Sequence, residues 1–256
     1  MNMEKEEHLS SLAKALRILK AFNKNSIWRV GELSDELGFS KSTVSRLIQT
    51  LVLEEFLTED PDNPGYRIGS ALLSLGGHFV SNSELYQEVA PVLNKLVLET
   101  GESVHIAVRN KRKVLYLNKQ IGSYYADIET QIGSLNPVHA TSSGKLLLAY
   151  SPVETLEIIL NEDLEAYTEY TLTNPIKLRQ QIEEIRHQGI AFSQDELKIG
   201  NYSIAAPVFN YENEVVCAIT LVGPTSRLTD VKKERFSRLL VQAAKEASDR
   251  LGYDGY

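Results

Sequence analysis

Residues 28–51, WRVGELSDELGFSKSTVSRLIQTL, constrain this chain more than any other stretch. Val30, Leu33 and Leu37 recur at helical spacing, so the first part reads as a short helix with one apolar face. Gly38 follows the last of them, where a helix closes on a left-handed residue that glycine adopts without strain. Phe39 reads as a buried anchor in the turn and Ser40 as the cap of a second helix. Val44, Leu47, Ile48 and Leu51 give that helix its apolar stripe. The small residue Ser34 precedes Gly38 at the spacing that lets two helices cross closely in a helix-turn-helix. The opposite face of the second helix carries Lys41, Ser42, Thr43, Ser45, Arg46 and Gln49, with no acid before Glu54. Such groups hold phosphates and read base edges. The plain alternative is a helical hairpin with a solvated polar face.

A DNA-facing surface contrasts with a net charge of −7. Position decides more than the sum, because at about 0.1 M salt charges beyond about 10 Å are largely screened. Lys14, Arg17, Lys20, Lys24, Arg29, Lys41, Arg46 and Arg67 fall in or beside the elements that would meet DNA. The nearby acids cluster at residues 4–7, 35–36 and 54–62. An acidic remainder limits non-specific binding, so the balance fits a site-specific binder. The 256 residues suffice for two domains with their own cores. No apolar run approaches the roughly 20 residues that span a bilayer, and the acidic start MNMEKEEHLSS is unlike a signal peptide. A cytoplasmic protein without membrane contact is therefore expected. The single cysteine, Cys217, lies in the apolar run VVCAITLV and reads as a small buried hydrophobe. His8, His78, His105, His139 and His187 show no short-range ligand spacing, and no phosphate-loop or dinucleotide motif is present. No metal and no cofactor are expected, and His105 and His139 read as structural.

Residues 9–22 read as a first helix with Leu12, Ala15, Leu16, Leu19 and Phe22 inward. After the helix-turn-helix, Phe56-Leu57-Thr58 and Tyr66-Arg67-Ile68 read as strands around a turn rich in Pro, Asn, Asp and Gly. Such a hairpin is a wing, here with an acidic tip that leaves Arg67 and Tyr66 as its useful groups. Residues 70–80 have helical spacing, weakened at Gly76-Gly77, and read as a linker helix. The expected division is 1–69 for a winged helix-turn-helix domain, 70–83 for the linker and 84–256 for a second domain. From residue 84 the pattern is α+β, with helices at 85–100, 141–150, 152–160, 176–188 and 230–251. Strands are expected at 104–108, 114–117, 127–132, 190–193, 202–209 and 215–222. Long antiparallel strands flanked by terminal helices point to a small-molecule sensor of the GAF or PAS type.

The chain resembles the IclR family of bacterial transcriptional regulators over nearly its whole length. The stretches that carry the resemblance are SLAKALRILKAF at 11–22, ELSDELGFSKSTVSRLIQTL at 32–51 and YRIGSALLSLG at 66–76. In the second domain they are HATSSGKLLLAY at 139–150, SIAAPVFN at 203–210 and ITLVGPTSRLT at 219–229. The resemblance implies a winged helix-turn-helix, a linker helix, a GAF-like effector domain with an antiparallel sheet, and homodimers or tetramers (dimers of dimers). It also implies double-stranded operator DNA and a small organic acid effector as partners.

The candidate DNA contacts are Lys41, Ser42, Thr43, Ser45 and Arg46, with Arg67 on the wing. Arg46 can pair with guanine or hold a phosphate, while Ser42 and Thr43 near the helix start can meet phosphate. The segment at 139–144, HATSSG, leads into a helix whose free amides and positive dipole end favour a carboxylate. In similar proteins amides at positions matching Ser142 and Ser143 hold a small acid, with side chains matching Ser193, Ser203 and Thr220. An acidic residue is often found where Ser193 stands, and a cysteine where Ser203 stands. A hydroxyl-rich pocket without a carboxylate suits a polyhydroxy or keto acid such as a sugar acid. The bland alternative is that these serines cap the helix and pack in the sheet. The competing function is an enzyme acting on a small carboxylate, yet no paired base and orienting acid stand at recognisable spacing.

Overall fold

The computed structural model describes residues 10–123 and 130–255. The chain divides after Asn82 into two compact units. The first holds helices α1 (Ser10–Ala21), α2 (Val30–Leu37) and α3 (Lys41–Leu53), a hairpin of strands β1 (Leu57–Glu59) and β2 (Tyr66–Ile68), and helix α4 (Ser70–Ser81). Helix α2 ends at Gly38 in the left-handed region, φ 68°, with the Gly38 amide donating to the Ser34 carbonyl. The Ser34 hydroxyl donates to the Phe39 carbonyl at 2.7 Å, fixing the turn into α3. Leu33, Val44, Ile48, Leu51 and Leu57 are buried together with Ile18, Phe22 and Trp28. The wing is tied back to this core by Trp28, which exchanges two backbone hydrogen bonds with Tyr66 at 3.0 and 2.8 Å.

Two expectations in this unit need adjusting. The core face of α1 is built on Ile18, Ala21 and Phe22, while Leu12 and Leu16 are 56% and 49% exposed. Those two leucines lie one turn apart on a second apolar stripe, so a single-stripe reading merged two faces. Phe39 is half-buried. Helix α4 matches the helix expected at 70–80, running through Gly76-Gly77 to the Asn82 cap.

The second unit is a six-stranded antiparallel sheet in the order β5-β4-β3-β8-β7-β6. Its strands are β3 (Ser103–Asn110), β4 (Lys113–Gln120), β5 (Leu135–Pro137), β6 (Ala191–Gln194), β7 (Asn201–Phe209) and β8 (Val215–Pro224). Helices α5 (Glu84–Thr100) and α9 (Asp230–Arg250) cover one face, against Ile106, Ile204, Ile219 and Leu221. Helices α6 (Ser142–Ala149), α7 (Val153–Leu160) and α8 (Pro175–Gln188) cover the other, against Ala107, Ala191, Ala205 and Ala218. This is the α+β arrangement expected. The strand expected at 127–132 falls partly outside the described residues. Its described end is not a strand, and the sheet edge is formed instead by β5. Cys217 is buried in the core, where burial pushes its thiol up, away from the nucleophilic form. Among the described residues, no helix is long and apolar enough to cross a membrane.

Ile48 is fully buried at the centre of the first unit. Ile48→Ala is expected to destabilise that unit by about 2–5 kcal/mol, the cost of a large-to-small change that leaves a cavity, read as a lower midpoint in urea denaturation.

Candidate DNA interface and effector cavity

Helix α3 begins at Ser40, whose Oγ accepts from the Thr43 amide at 3.3 Å and lies 2.9 Å from Thr43 Oγ1 and 3.1 Å from Ser42 Oγ. The hydroxyls of Ser42 and Thr43 therefore sit at the first turn, beside amides that have no partner within the helix. That end also carries the positive pole of the helix dipole, which favours phosphate. Lys41, Ser42 and Arg46 are exposed, and Thr43 and Ser45 are half-buried. Lys41 and Arg46 form no ion pair with the described residues. Four of the other basic groups noted in the sequence are more occupied. Lys24 pairs with Glu36, Lys14 lies 5.7 Å from the Phe39 ring centroid, and Arg29 Nε donates to the Pro64 carbonyl at 2.9 Å. Arg67, on the wing, sits 3.7 Å from the Asp60 carboxylate. The α3 candidates thus share one element, whereas Arg67 is drawn to the acidic tip.

The second unit holds a cavity of about 570 Å³ whose wall includes Ser193, Ser203 and Thr220. These three lie two residues along their strands from Ala191, Ala205 and Ala218, so the alternation of a strand places all six on one face. The alanines lie under the helices; Ser193, Ser203 and Thr220 lie at the start of α6, on the cavity wall. Ser142 and Ser143 are buried behind the wall. Ser142 Oγ donates to Ser203 Oγ at 2.7 Å, and Ser143 Oγ lies 3.4 Å from the Tyr116 hydroxyl. Ser193 Oγ donates to the Ala140 carbonyl at 3.3 Å. Thr141, on the wall, caps α6 by accepting from the Gly144 amide at 3.1 Å. Gly144 permits this packing, because a Cβ there would lie 2.2 Å from the Val138 carbonyl oxygen.

The cavity also contains groups that sequence reasoning missed. Tyr116, Asn136, Glu196 and Lys198 line it. The expectation of a pocket without a carboxylate is therefore wrong: Glu196, in the loop between β6 and β7, supplies one. That loop was unreadable from spacing, because Glu196 reaches the wall by a turn that Asp195 makes at positive φ. Lys145 is fully buried on α6, and its Nζ donates to Glu196 Oε1 at 2.6 Å and Gln181 Oε1 at 3.1 Å. Burial pushes the Lys145 ammonium down, and the neighbouring Glu196 opposes that. Glu196 Oε2 and Thr220 Oγ1 are buried without a hydrogen-bond partner.

His139 Nε2 lies 2.9 Å from the Glu165 carbonyl, which holds the segment before α6. His105 pairs with Thr220 across β3 and β8, and its ring meets Tyr116 edge-on at 5.4 Å. Burial, helped by the Lys119 charge, lowers its pKa to about 3, so the ring is neutral at neutral pH. Among the described residues, no cluster of three His, Cys, Asp or Glu side chains could hold a metal.

Two stability predictions follow from this wall. Lys145→Met removes one partner of a buried ion pair and is expected to cost about 3–5 kcal/mol in urea denaturation, most of it recovered in Lys145→Met/Glu196→Leu. An unfolded histidine takes up its proton below about pH 6.5, but folded His105 does so only near pH 3. Falling pH through that window therefore favours unfolding. His105→Phe is expected to reduce the loss of stability there, measured by denaturation at a series of pH values.

A sequence model of the IclR helix-turn-helix domain matches residues 11–61, and one of the C-terminal domain of bacterial transcriptional regulators of the IclR type matches residues 77–249. The chain is 32% identical over 247 residues to the HTH-type transcriptional regulator XynR of Escherichia coli (strain K12), covering 96% of this chain and 98% of that protein. It is 29% identical to the transcriptional repressor IclR of the same organism, over 96% of this chain and 91% of the repressor. The solved structure of an IclR transcriptional regulator from Alicyclobacillus acidocaldarius superposes with a TM-score of 0.85 at 28% identity, covering 96% of this chain and all (100%) of that one. The chain belongs to the IclR family of bacterial transcriptional regulators.

Proposed function

We propose that this protein binds double-stranded operator DNA sequence-specifically, as a repressor of a catabolic operon, and that a small organic acid in the cavity of the second unit alters that binding. The observation that carries the DNA reading is the exposed pair Lys41 and Arg46 on the capped helix α3, with no competing ion pair among the described residues. Ser42, Thr43 and Ser45 complete the contact surface, and Arg67 adds a lesser contribution from the wing. The acid reading is supported by the start of α6 at the cavity wall and by Lys198, both of which favour an anion. Ser142, Ser143, Ser193, Ser203 and Thr220 are its contact or supporting groups. Leu73, Leu75 and Phe79 of α4 are exposed apolar side chains, the kind of surface that a homodimer or a dimer of dimers would cover.

An effector that favours one arrangement by only about 1–3 kcal/mol is enough to switch occupancy of an operator. The enzymatic alternative is disfavoured by the same bonds that build the wall. Ser142, Ser143 and Ser193 are engaged with Ser203, Tyr116 and a carbonyl, and not with a histidine that would act as a base.

Selection of genomic fragments by the purified protein at about 0.15 M salt, then footprinting, tests the reading. A short palindromic site is expected. Arg46→Ala is expected to weaken binding to that site by about 1–3 kcal/mol, and Lys41→Ala to lower the salt slope by about one. Failure to enrich any fragment, with or without added carboxylates, would overturn the proposal.

A further inference from the structure

We infer that Gln49 reads an adenine in the operator, one or two base pairs from the pair met by Arg46, and so sets part of the sequence preference. The inference rests on the DNA reading above and deepens it. The polar side chains of α3 are not equally available. The hydroxyls of Ser42 and Thr43 lie 3.1 and 2.9 Å from the Ser40 cap oxygen, and Ser45 is half-buried. Thr50 Oγ1 donates to the Arg46 carbonyl at 3.2 Å, which turns it back onto its own helix. Arg46 and Gln49 are both exposed and line one open groove beside α1. The Gln49 amide has no hydrogen-bond partner among the described residues.

Three residues along an α-helix advance about 4.5 Å and leave two side chains about 60° apart, as neighbours on one face. Base pairs stack about 3.4 Å apart. A helix lying in the major groove therefore sets Arg46 and Gln49 against base pairs that are adjacent or one further on. Their chemistries differ. Arginine carries donors only, which match O6 and N7 of guanine and offer nothing to the N6 amino group of adenine. A glutamine amide holds an acceptor and a donor side by side, the complement of N6 and N7 of adenine. Among the 13 residues of α3, Gln49 alone carries such a group. Lys41 and the capped first turn meet phosphates, which position the helix without reading sequence.

The test takes the site recovered by footprinting and measures the full-length protein against every single base-pair variant of one half-site, at about 0.15 M salt. The unaltered protein is expected to prefer one A·T pair by about 5- to 150-fold, one or two pairs from a G·C preference that Arg46→Ala removes. Gln49→Ala is expected to bring discrimination at that A·T pair to within about twofold. It should leave the other preferences and the salt slope in place, because the lost group is neutral. Gln49→Glu is expected to move the preference there toward cytosine, whose N4 donates to a carboxylate. Replacing the adenine with 7-deazaadenine, which lacks the N7 acceptor, should weaken binding by the unaltered protein and not by Gln49→Ala. A Gln49→Ala variant that keeps every preference, or weakens all sites alike, would overturn the assignment and leave the DNA reading standing. Absence of an A·T preference beside the Arg46-dependent pair in the unaltered protein would overturn it without any variant at position 49. Absence of any bound site would overturn both readings.

Discussion

Much of the second unit is arranged around one fully buried cation. Lys145 lies on α6 with no exposure to solvent, and an ammonium so placed is tolerated only when it is paired and hydrogen-bonded. Its partners come from two different elements, Gln181 on α8 and Glu196 from the loop after β6. Satisfying Lys145 therefore pulls that loop over the start of α6 and closes one side of the cavity. It also consumes only one of the two carboxylate oxygens. The ion pair thus fixes this side of the wall and leaves Glu196 Oε2 buried without a hydrogen-bond partner.

The sheet contributes the opposite wall through simple alternation. Along β3, β6, β7 and β8 one position is alanine under the helices, and the position two residues along is His105, Ser193, Ser203 or Thr220. Small alanines let α6 pack closely on the strands. Beyond the helix end there is no apolar surface to meet, and polar side chains occupy the face instead. The boundary between helix-covered core and cavity therefore coincides with a change of residue type at a spacing of two.

How much of this was legible depended on whether the signal was local. The helix-turn-helix rests on Gly38, Ser40 and apolar positions within a short window, so turn, cap and stripe could all be read. The long strands β3, β7 and β8 were legible from alternation, and Ser193, Ser203 and Thr220 could be assigned to adjacent strands from it. Strand β5 is three residues long and contains Pro137, so it carries no alternation to read. Glu196 and Lys145 were missed for a deeper reason: their meeting depends on a loop with a positive-φ turn and on the packing of α6 against α8. In α1 Ala15, Leu19 and Phe22 do face the core, but Leu12 and Leu16 mark a second apolar stripe, and periodicity alone does not say which stripe faces the core.

The two candidate sites use the same local device in different surroundings. Helix α3 starts at Ser40 and α6 at Thr141, and each cap hydroxyl accepts from the amide three residues on. Each cap leaves earlier amides of the first turn without partners inside the helix, at the positive end of the dipole. At α3 that end is exposed beside Lys41 and Arg46, where water and salt screen the field over about 10 Å. Such a field suits a long polyanion, which supplies many charges at once. At α6 the end lies among buried side chains, where screening is weak and an unpaired polar group is costly. There the attraction is strong but geometrically selective, which suits one small anion whose other groups must also be satisfied. The two helix starts thus differ in the burial around them, not in the motif that begins the helix.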